Sequence, residues 1–242
     1  MSEQIEQYMR TLKLGGLAKE WRSAVYKDTE QYVTELLLLE LREREANRIN
    51  RMVKTAGFRV IKTLEDFVWK KEIELPNGLG SNYMEDLSFL EPKENLIFLG
   101  AVGTGKTHLA TAIGIEACRR GLSTGFYRTA NLVNCLSEAK KTGRLGKLMT
   151  SLSKLDLLIC DEWGYVPLDR EAAQLLFQII SDSYERRSVI ITTNLEFSRW
   201  VGIFYDEQMT AAIIDRLVHH SYLLLFDGPS NRVRDSLMRR EV

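Results

Sequence analysis

The chain has no excess of either charge: 33 lysines and arginines are offset by 33 aspartates and glutamates in 242 residues. A surface that binds nucleic acid through overall charge is excluded, so any such surface must come from local segregation of charge. Cysteine is scarce. Cys118, Cys135 and Cys160 are odd in number and lack metal-ligand spacing, which reads as buried, inert thiols in a reducing cytoplasm. Long apolar runs are missing as well. The longest in the N-terminal region, residues 36–39, is far below the roughly 20 residues that cross a bilayer. The first six residues carry Glu3 and Glu6 where a secretory signal carries bases, and no apolar stretch follows. Neither a signal peptide nor a membrane association is expected. There is no internal repeat and no low-complexity tract.

What is present divides in two. Residues 1–60 contain no proline, and apolar side chains recur three and four apart, so this region is predicted to be helical. Gly15-Gly16 break a short first helix. A long helix opens at Val33, Leu36, Leu37 and Leu41, runs through Val53 and ends at Gly57. Residues 1–60 are expected to be a helical domain for assembly, DNA contact or partner contact. Phe58, Phe67 and Trp69 are expected at its seam with the second domain, 61–242. Pro76-Asn77-Gly78 reads as a turn. From residue 95 onward, apolar runs at 95–100, 123–128, 156–161, 188–193 and 222–226 alternate with helical patterns at 107–120, 132–142, 170–186 and 208–219. The runs lack polar alternation, as strands buried on both faces do. The order predicts an α/β fold with a parallel sheet covered on both sides.

Gly100-Ala101-Val102-Gly103-Thr104-Gly105-Lys106-Thr107 satisfies the G-x-x-x-x-G-K-[ST] pattern, with a strand-like run before it and a helical pattern from His108 onward. Glycines at these positions let backbone N–H groups close on phosphate oxygens, and the following helix N-terminus adds positive potential. Lys106 suits the β- and γ-phosphates of ATP, and the Thr107 hydroxyl suits Mg²⁺. His108 belongs to the nucleotide-binding segment and is expected to pack at the first turn of its helix. Residues 155–160 form a strongly apolar strand that ends in Asp161-Glu162. Asp161 can orient the Mg²⁺ shell and Glu162 can polarise a water for in-line attack. A small-molecule kinase would not need the second acid, so the pair favours hydrolysis. Asn194, after the apolar 190–193, can contact the attacking water or the γ-phosphate.

The phosphate loop, Asp161-Glu162 and Thr193-Asn194 together resemble the AAA+ ATPases. Gly164-Tyr165-Val166-Pro167-Leu168-Asp169, Tyr184-Glu185-Arg186-Arg187-Ser188 and Ile213-Ile214-Asp215-Arg216-Leu217-Val218-His219-His220 bring it closer to the IstB-type insertion-sequence ATP-binding proteins, relatives of the DnaC helicase loader and the DnaA initiator. The resemblance runs from the N-terminal helices to Arg234. It implies a five-stranded parallel sheet of order 5-1-4-3-2 and ATP-dependent homo-oligomeric assembly on double-stranded DNA, with ATP at subunit interfaces. It also implies presentation of that DNA to a cognate transposase. Arg216 matches the clade's arginine finger, which reaches the nucleotide of the next subunit; a salt bridge to Asp215 is the alternative. Arg232 resembles the sensor arginine of the AAA+ lid, with a DNA or subunit contact as the alternative. So few residues follow the last strand that the lid must be vestigial.

Two segments concentrate positive charge. Arg42, Arg44, Arg48, Arg51, Lys54, Arg59 and Lys62 have only Glu43 and Glu45 against them, and Arg44, Arg48 and Arg51 share one face of the long helix. Lys140, Lys141, Arg144, Lys147 and Lys154 have only Glu138 against them and lie where the resemblance implies a DNA-facing helical insertion. A solvated face with intrahelical ion pairs is the alternative for both. No zinc finger or basic zipper is visible, so backbone contact with little base readout is expected. Trp163 and Tyr165 suit packing over the strand end, or stacking on a base. His219-His220 lack a third metal ligand and suit structural or interface roles. A DnaC-like helicase loader, an ATP-switched DNA scaffold with negligible turnover and a small-molecule kinase remain as competing functions.

Overall fold

The computed structural model describes residues 2–76, 78–165, 168–204 and 206–234. Asn77 of the expected turn, Val166 and Pro167 of the family motif, and the end of the lid region lie outside the described residues. The chain clusters into two compact units, Met1–Lys54 and Thr55–Val242.

The first unit is helical: α1 (Ser2–Thr11), α2 (Gly15–Glu20) and most of α3 (Thr29–Ala56). Gly15-Gly16 open α2 rather than merely ending α1. The reason is close packing, since a Cβ on Gly16 would stand 2.7 Å from the Leu39 carbonyl oxygen and 2.6 Å from the Glu43 Cβ. Glu40, 6% exposed, lies under α2 and caps it. Its Oε2 accepts from the backbone N–H of Gly16 at 2.9 Å and of Leu17 at 3.3 Å, and its Oε1 accepts from Arg44 Nε at 2.7 Å. Burial pushes the Glu40 carboxyl up, but the Arg44 guanidinium and the two N–H groups outweigh it and hold it below its ordinary value.

The long helix stops at Gly57, whose φ of +88° is open to a residue without a side chain. Residues 55–60 cluster with the second unit. Phe58 packs on Phe126, and Phe67 packs on Trp69 and His108. These aromatics, read from the sequence as a seam, therefore belong to the core of the second unit.

That unit runs β1 (Ile73–Glu74), α4 (Asn82–Glu85), β2 (Asn95–Gly100), α5 (Lys106–Arg119), β3 (Thr124–Arg128), α6 (Thr129–Lys141), α7 (Leu145–Leu152) and β4 (Leu157–Trp163). It continues with α8 (Arg170–Ser183), β5 (Ser188–Thr193), α9 (Val201–Phe204), α10 (Glu207–His219), β6 (Ser221–Phe226) and α11 (Asn231–Arg234). The sheet order is β1-β6-β2-β5-β4-β3. Strands β6, β2, β5, β4 and β3 are parallel and reproduce the implied order 5-1-4-3-2. The sheet is mixed rather than purely parallel, because β1 adds an antiparallel edge through Ile73 opposite Phe226 and Glu74 opposite Leu225.

Both faces of the sheet are apolar. Leu96, Phe98, Leu157, Ile159 and Ile190 meet Leu109, Ala110 and Ile113 of α5 on one side. Ile97, Leu158, Cys160, Val189 and Ile191 meet α6, α8 and α10 on the other. The period of two is present but hidden in sequence, since both sets are hydrophobic. Cys118 and Cys160 are buried as expected, and burial pushes the Cys160 thiol up to about 12. Cys135 corrects the reading of three buried thiols, because it sits on the exposed side of α6. No helix among the described residues is long and apolar enough to cross a membrane.

Candidate nucleotide site

The loop from β2 to α5 lies at the carboxyl edge of the parallel strands, the edge at which open α/β sheets hold ligands. Gly103 has φ +83°, and a Cβ there would stand 2.1 Å from Ser230 Oγ. Its carbonyl accepts from the Asn231 N–H at 2.8 Å, which ties the loop to the segment after β6. Thr104 Oγ1 donates to the Ala101 carbonyl at 2.9 Å, bracing the turn. Val102 is exposed at the tip. Gly105, left-handed at φ +113°, is the N-cap of α5 and directs the helix N-terminus at the loop.

Lys106 Nζ donates to the carbonyls of Gly100 at 2.7 Å and Ala101 at 2.6 Å. Burial pushes its ammonium down to about 8, with Asp161 pulling it up and Arg232 pushing it further down. Such a cation lacks a full set of compensating charges, and an anion in the cradle would supply them. Thr107 Oγ1 donates to Asp161 Oδ1 at 2.8 Å. Asp161 is 1% exposed, and Thr192 Oγ1 of β5 donates to the same Oδ1 at 2.5 Å. A hydroxyl and a carboxylate converging in this way form a hard-oxygen donor set of the kind Mg²⁺ takes beside phosphates.

The strand β4 does not end at its acids. It continues to Trp163, which is buried against Trp200 and Phe204, so this ring is packing. Tyr165 is 65% exposed. Between Cys160 and Trp163 the register against β5 shifts, and Glu162 adopts φ +59°. This kink is held by the Glu162 N–H, which donates to Thr192 Oγ1 at 3.0 Å. The Glu162 carboxylate then meets Arg128 at the end of β3, Oε2 to Nε 3.2 Å.

A cavity of about 440 Å³ joins Gly103, Gly105, Lys106, Thr107, His108, Asp161 and Arg232 with Arg59 and Lys62 of the first basic segment, and with Val60 and Arg128, which the sequence did not single out. The volume is within the range of small-ligand sites. His108 both lines this cavity and packs edge-on to Phe67, and burial lowers its imidazole. Asn194 follows β5 at the same rim and is exposed, outside the residues lining this cavity. Arg216 is on α10, its Nη1 donating to the Ala212 carbonyl at 2.9 Å and its guanidinium 5.4 Å from the Phe177 ring centroid. It does not line its own chain's cavity.

The basic segments are partly neutralised. Arg44 pairs with Glu40, Arg48 pairs with Glu45, and Arg51 Nε donates to the Asn47 carbonyl at 3.3 Å. Lys140 pairs with Glu171 of α8 at 2.7 Å, an acid that sequence proximity could not reveal. Arg144 Nε donates to Thr142 Oγ1 at 3.1 Å, and Lys141 stays exposed at the end of α6. Lys147 and Lys154 line a shallow hollow on α7 with Thr150. His219 Nδ1 is 3.1 Å from the Tyr184 hydroxyl, and His220 Nε2 is 3.5 Å from Glu185 Oε1. Among the described residues no cluster has the makings of a metal site of three or more His, Cys, Asp or Glu ligands.

A profile of the family described as IstB-like ATP binding protein matches residues 8–239. The ATP-binding protein of insertion sequence IS5376 from Geobacillus stearothermophilus is 36% identical over 100% of this chain and 98% of its own length. That of IS232 from Bacillus thuringiensis subsp. berliner is 40% identical over 84% of this chain and 81% of its own. That of IS21 from Pseudomonas aeruginosa is 35% identical over 85% and 77%. Among solved structures, AMPPCP-bound DnaA from Aquifex aeolicus superposes with a TM-score of 0.58 at 20% identity, over 74% of this chain and 54% of that one. DnaI superposes with a TM-score of 0.56 at 20% identity, over 75% of this chain and all of that one. These structural likenesses establish the AAA+ fold.

Proposed function

The chain belongs to the family of IstB-like ATP binding proteins, and on that premise we propose that it is a cytoplasmic, DNA-stimulated AAA+ ATPase serving a transposase. It assembles as a homo-oligomer on double-stranded DNA and presents that DNA to its cognate transposase. The observation that carries the chemistry is the convergence of Thr107 and Asp161 at 2.8 Å, beside the half-buried ammonium of Lys106.

Lys106 is held by loop carbonyls and exchanges them for phosphate oxygens when ATP enters. The N–H groups from Gly103 to Thr107 and the α5 N-terminus receive the remaining phosphate charge. Thr107 and Asp161 would hold Mg²⁺, which neutralises charge developing on the phosphates. Glu162 orients the attacking water once its carboxylate leaves Arg128, and Asn194 contacts that water or the γ-phosphate. Arg216 completes the site of the neighbouring subunit, in keeping with its absence from the cavity of its own chain. Arg232, inside that cavity, serves as the sensor of the bound nucleotide. The cations of α6 and α7 and the face of Arg44, Arg48 and Arg51 contact the DNA backbone.

The test is phosphate release with and without duplex DNA, beside labelled-ATP binding. Glu162→Gln and Arg216→Ala should retain ATP and lose turnover. Normal turnover in either variant would remove that residue's role. ATP binding with no acceptor-independent phosphate release would leave a nucleotide-switched scaffold. Capture of a replicative helicase rather than the transposase would make the protein a helicase loader.

A further inference from the structure

Helix α7 has two opposite sides. Leu145, Leu148, Met149 and Leu152 recur three and four apart and meet the core. Lys147, Thr150 and Ser151 fall on the other side, in a row that Lys154 continues just past the end of the helix. Only Leu152 is fully buried, which is little to hold two turns of helix in place. Unlike Lys140, neither Lys147 nor Lys154 forms an ion pair among the described residues. Their charge can meet a ligand in a defined geometry only if something fixes the helix that carries it.

What fixes it comes from the segment Tyr184-Glu185-Arg186-Arg187-Ser188, to which the nucleotide chemistry assigns no role. Arg186 is exposed, whereas Arg187 is 3% exposed. Among the described residues no carboxylate lies within ion-pair distance of Arg187. Its Nη1 donates to the Leu152 carbonyl at the end of α7. Its Nε donates to Ser183 Oγ, at the end of α8, at 2.8 Å. The Ser183 hydroxyl is itself tied to the Ile179 carbonyl at 2.7 Å. The last carbonyls of a helix lack partners within it and carry the negative end of its dipole, so two helix ends stand in for a counter-ion. Burial still pushes the guanidinium below its ordinary value. An apolar side chain of similar size would avoid that cost. What the arginine adds is a directed link from the sheet side of α8 to the end of α7.

We infer that Arg187 is a positioning residue: it locks α7 onto the ATPase body and so aims Lys147 and Lys154 at the DNA backbone. It touches no phosphate itself. The inference rests on the reading of α7 as a DNA-contacting helix and deepens it, because it makes part of the electrostatic affinity depend on a side chain buried inside the fold. It also separates α7 from the nucleotide site, since Arg187 does not line the nucleotide cavity.

The experiment is duplex-DNA binding by the full chain with ATP, across salt concentrations. The variants are Lys147→Gln with Lys154→Gln, Arg187→Met, and all three together. Two phosphate contacts contribute about 1.8 to the slope of log affinity against log salt. The lysine pair should lose about that much, so that the fall in affinity from about 50 to about 200 mM salt becomes roughly 12-fold smaller. Arg187→Met should lose the same slope although it removes no surface charge, and the triple variant should lose no more. ATP affinity and DNA-free phosphate release should stay at the wild-type level in each. Hydrogen exchange gives a reading independent of DNA: α7 amides should exchange faster in Arg187→Met while those of α5 keep their protection. Should Arg187→Met fail to fold, Arg187→Lys carries the same test, because one ammonium cannot span the Ser183 hydroxyl and the Leu152 carbonyl. A wild-type slope in the Arg187 variant, or a triple variant whose loss is the sum of the two, beside a reduced slope in the lysine pair, would overturn the inference alone. An unchanged slope in the lysine pair would remove α7 from the DNA surface and the inference with it, and would leave the nucleotide chemistry standing.

Discussion

Arg128 gives the sharpest test of how the site is held at rest. Its Nε stands 3.2 Å from Glu162 Oε2, and the two side chains are 41% and 40% exposed. Glu162 cannot both satisfy this guanidinium and orient a water at the γ-phosphate, so the pair opposes the reactive arrangement. Arg128→Gln removes the ion pair and keeps a polar side chain. An ion pair this exposed contributes about 0.2–1 kcal/mol. Since about 1.4 kcal/mol is a factor of ten in rate, turnover at saturating ATP should rise roughly 1.4- to 5-fold.

The assay is steady-state phosphate release without DNA, with Glu162→Gln as the blank. Salt provides a second arm. The Debye length falls from about 8 Å at physiological ionic strength to about 3 Å at 1 M. Wild-type turnover should therefore approach that of Arg128→Gln as salt is added, while the variant changes less. Arg128 also lines the cavity, so nucleotide affinity must be measured in parallel. A drop in turnover of roughly tenfold or more at unchanged affinity would refute the reasoning and place Arg128 on the reacting phosphates.

Three further expectations follow from individual contacts. Lys106→Ala should weaken ATP binding roughly 10- to 150-fold, the equivalent of a charge-assisted bond of about 1.5–3 kcal/mol. Because burial sets the ammonium at about 8, wild-type affinity measured by titration calorimetry should fall as pH rises through that value, and a flat profile would dismiss Lys106 as the phosphate cation. The unfolded chain holds this proton up to about 10.5, so between the two values folding releases it and stability to denaturant should rise with pH. Gly103→Ala must accommodate a left-handed backbone at φ +83° and a Cβ 2.1 Å from Ser230 Oγ, which should lower the melting temperature. Adding Ser230→Ala should recover only part, since the backbone cost of about 1–2 kcal/mol remains; full recovery would show that the clash alone matters. Glu40→Ala strands the N–H groups of Gly16 and Leu17 at a cost of about 1–2 kcal/mol, read as faster hydrogen exchange at those two amides. The Glu40 carboxyl lies below its ordinary 4.5, so its contribution should be present above that value and vanish as pH falls through the lowered one.

The phosphate loop was legible because its chemistry is local. Eight consecutive residues must place N–H groups, one ammonium and one hydroxyl around a single anion, and covalent reach sets their spacing. The five parallel strands were legible for a related reason: runs buried on both faces need apolar residues throughout. Strand β1 was not, because two residues carry no period, and Ile73 and Glu74 become a strand only against Phe226 and Leu225. The cap of α2 by Glu40 was hidden in the same way, as the acid lies 24 residues from the amide it accepts. Lys140 looked uncompensated because Glu171, its partner, belongs to another helix.

The two acids of β4 mark where adjacency misleads. Consecutive residues of a regular strand point to opposite faces, so Asp161-Glu162 could not both serve one rim. The strand is not regular here: Glu162 has a left-handed backbone and the register shifts before Trp163, and the Glu162 carboxylate meets Arg128 of the cavity wall. Both are held by one hydroxyl: Thr192 Oγ1 donates to Asp161 Oδ1 at 2.5 Å and accepts from the Glu162 N–H at 3.0 Å. The polar tip of β5 drew attention to Asn194, which is exposed, while Thr192, buried two residues earlier, bonds the Asp161 carboxylate and the Glu162 amide. A buried hydroxyl in an apolar strand has two requirements to satisfy, a donor's and an acceptor's. The run Val189-Ile190-Ile191-Thr192-Thr193 thus signals a neighbour that needs both. Such a neighbour is a carboxylate followed by a kinked amide, which is the arrangement that Asp161 and Glu162 present to Thr192.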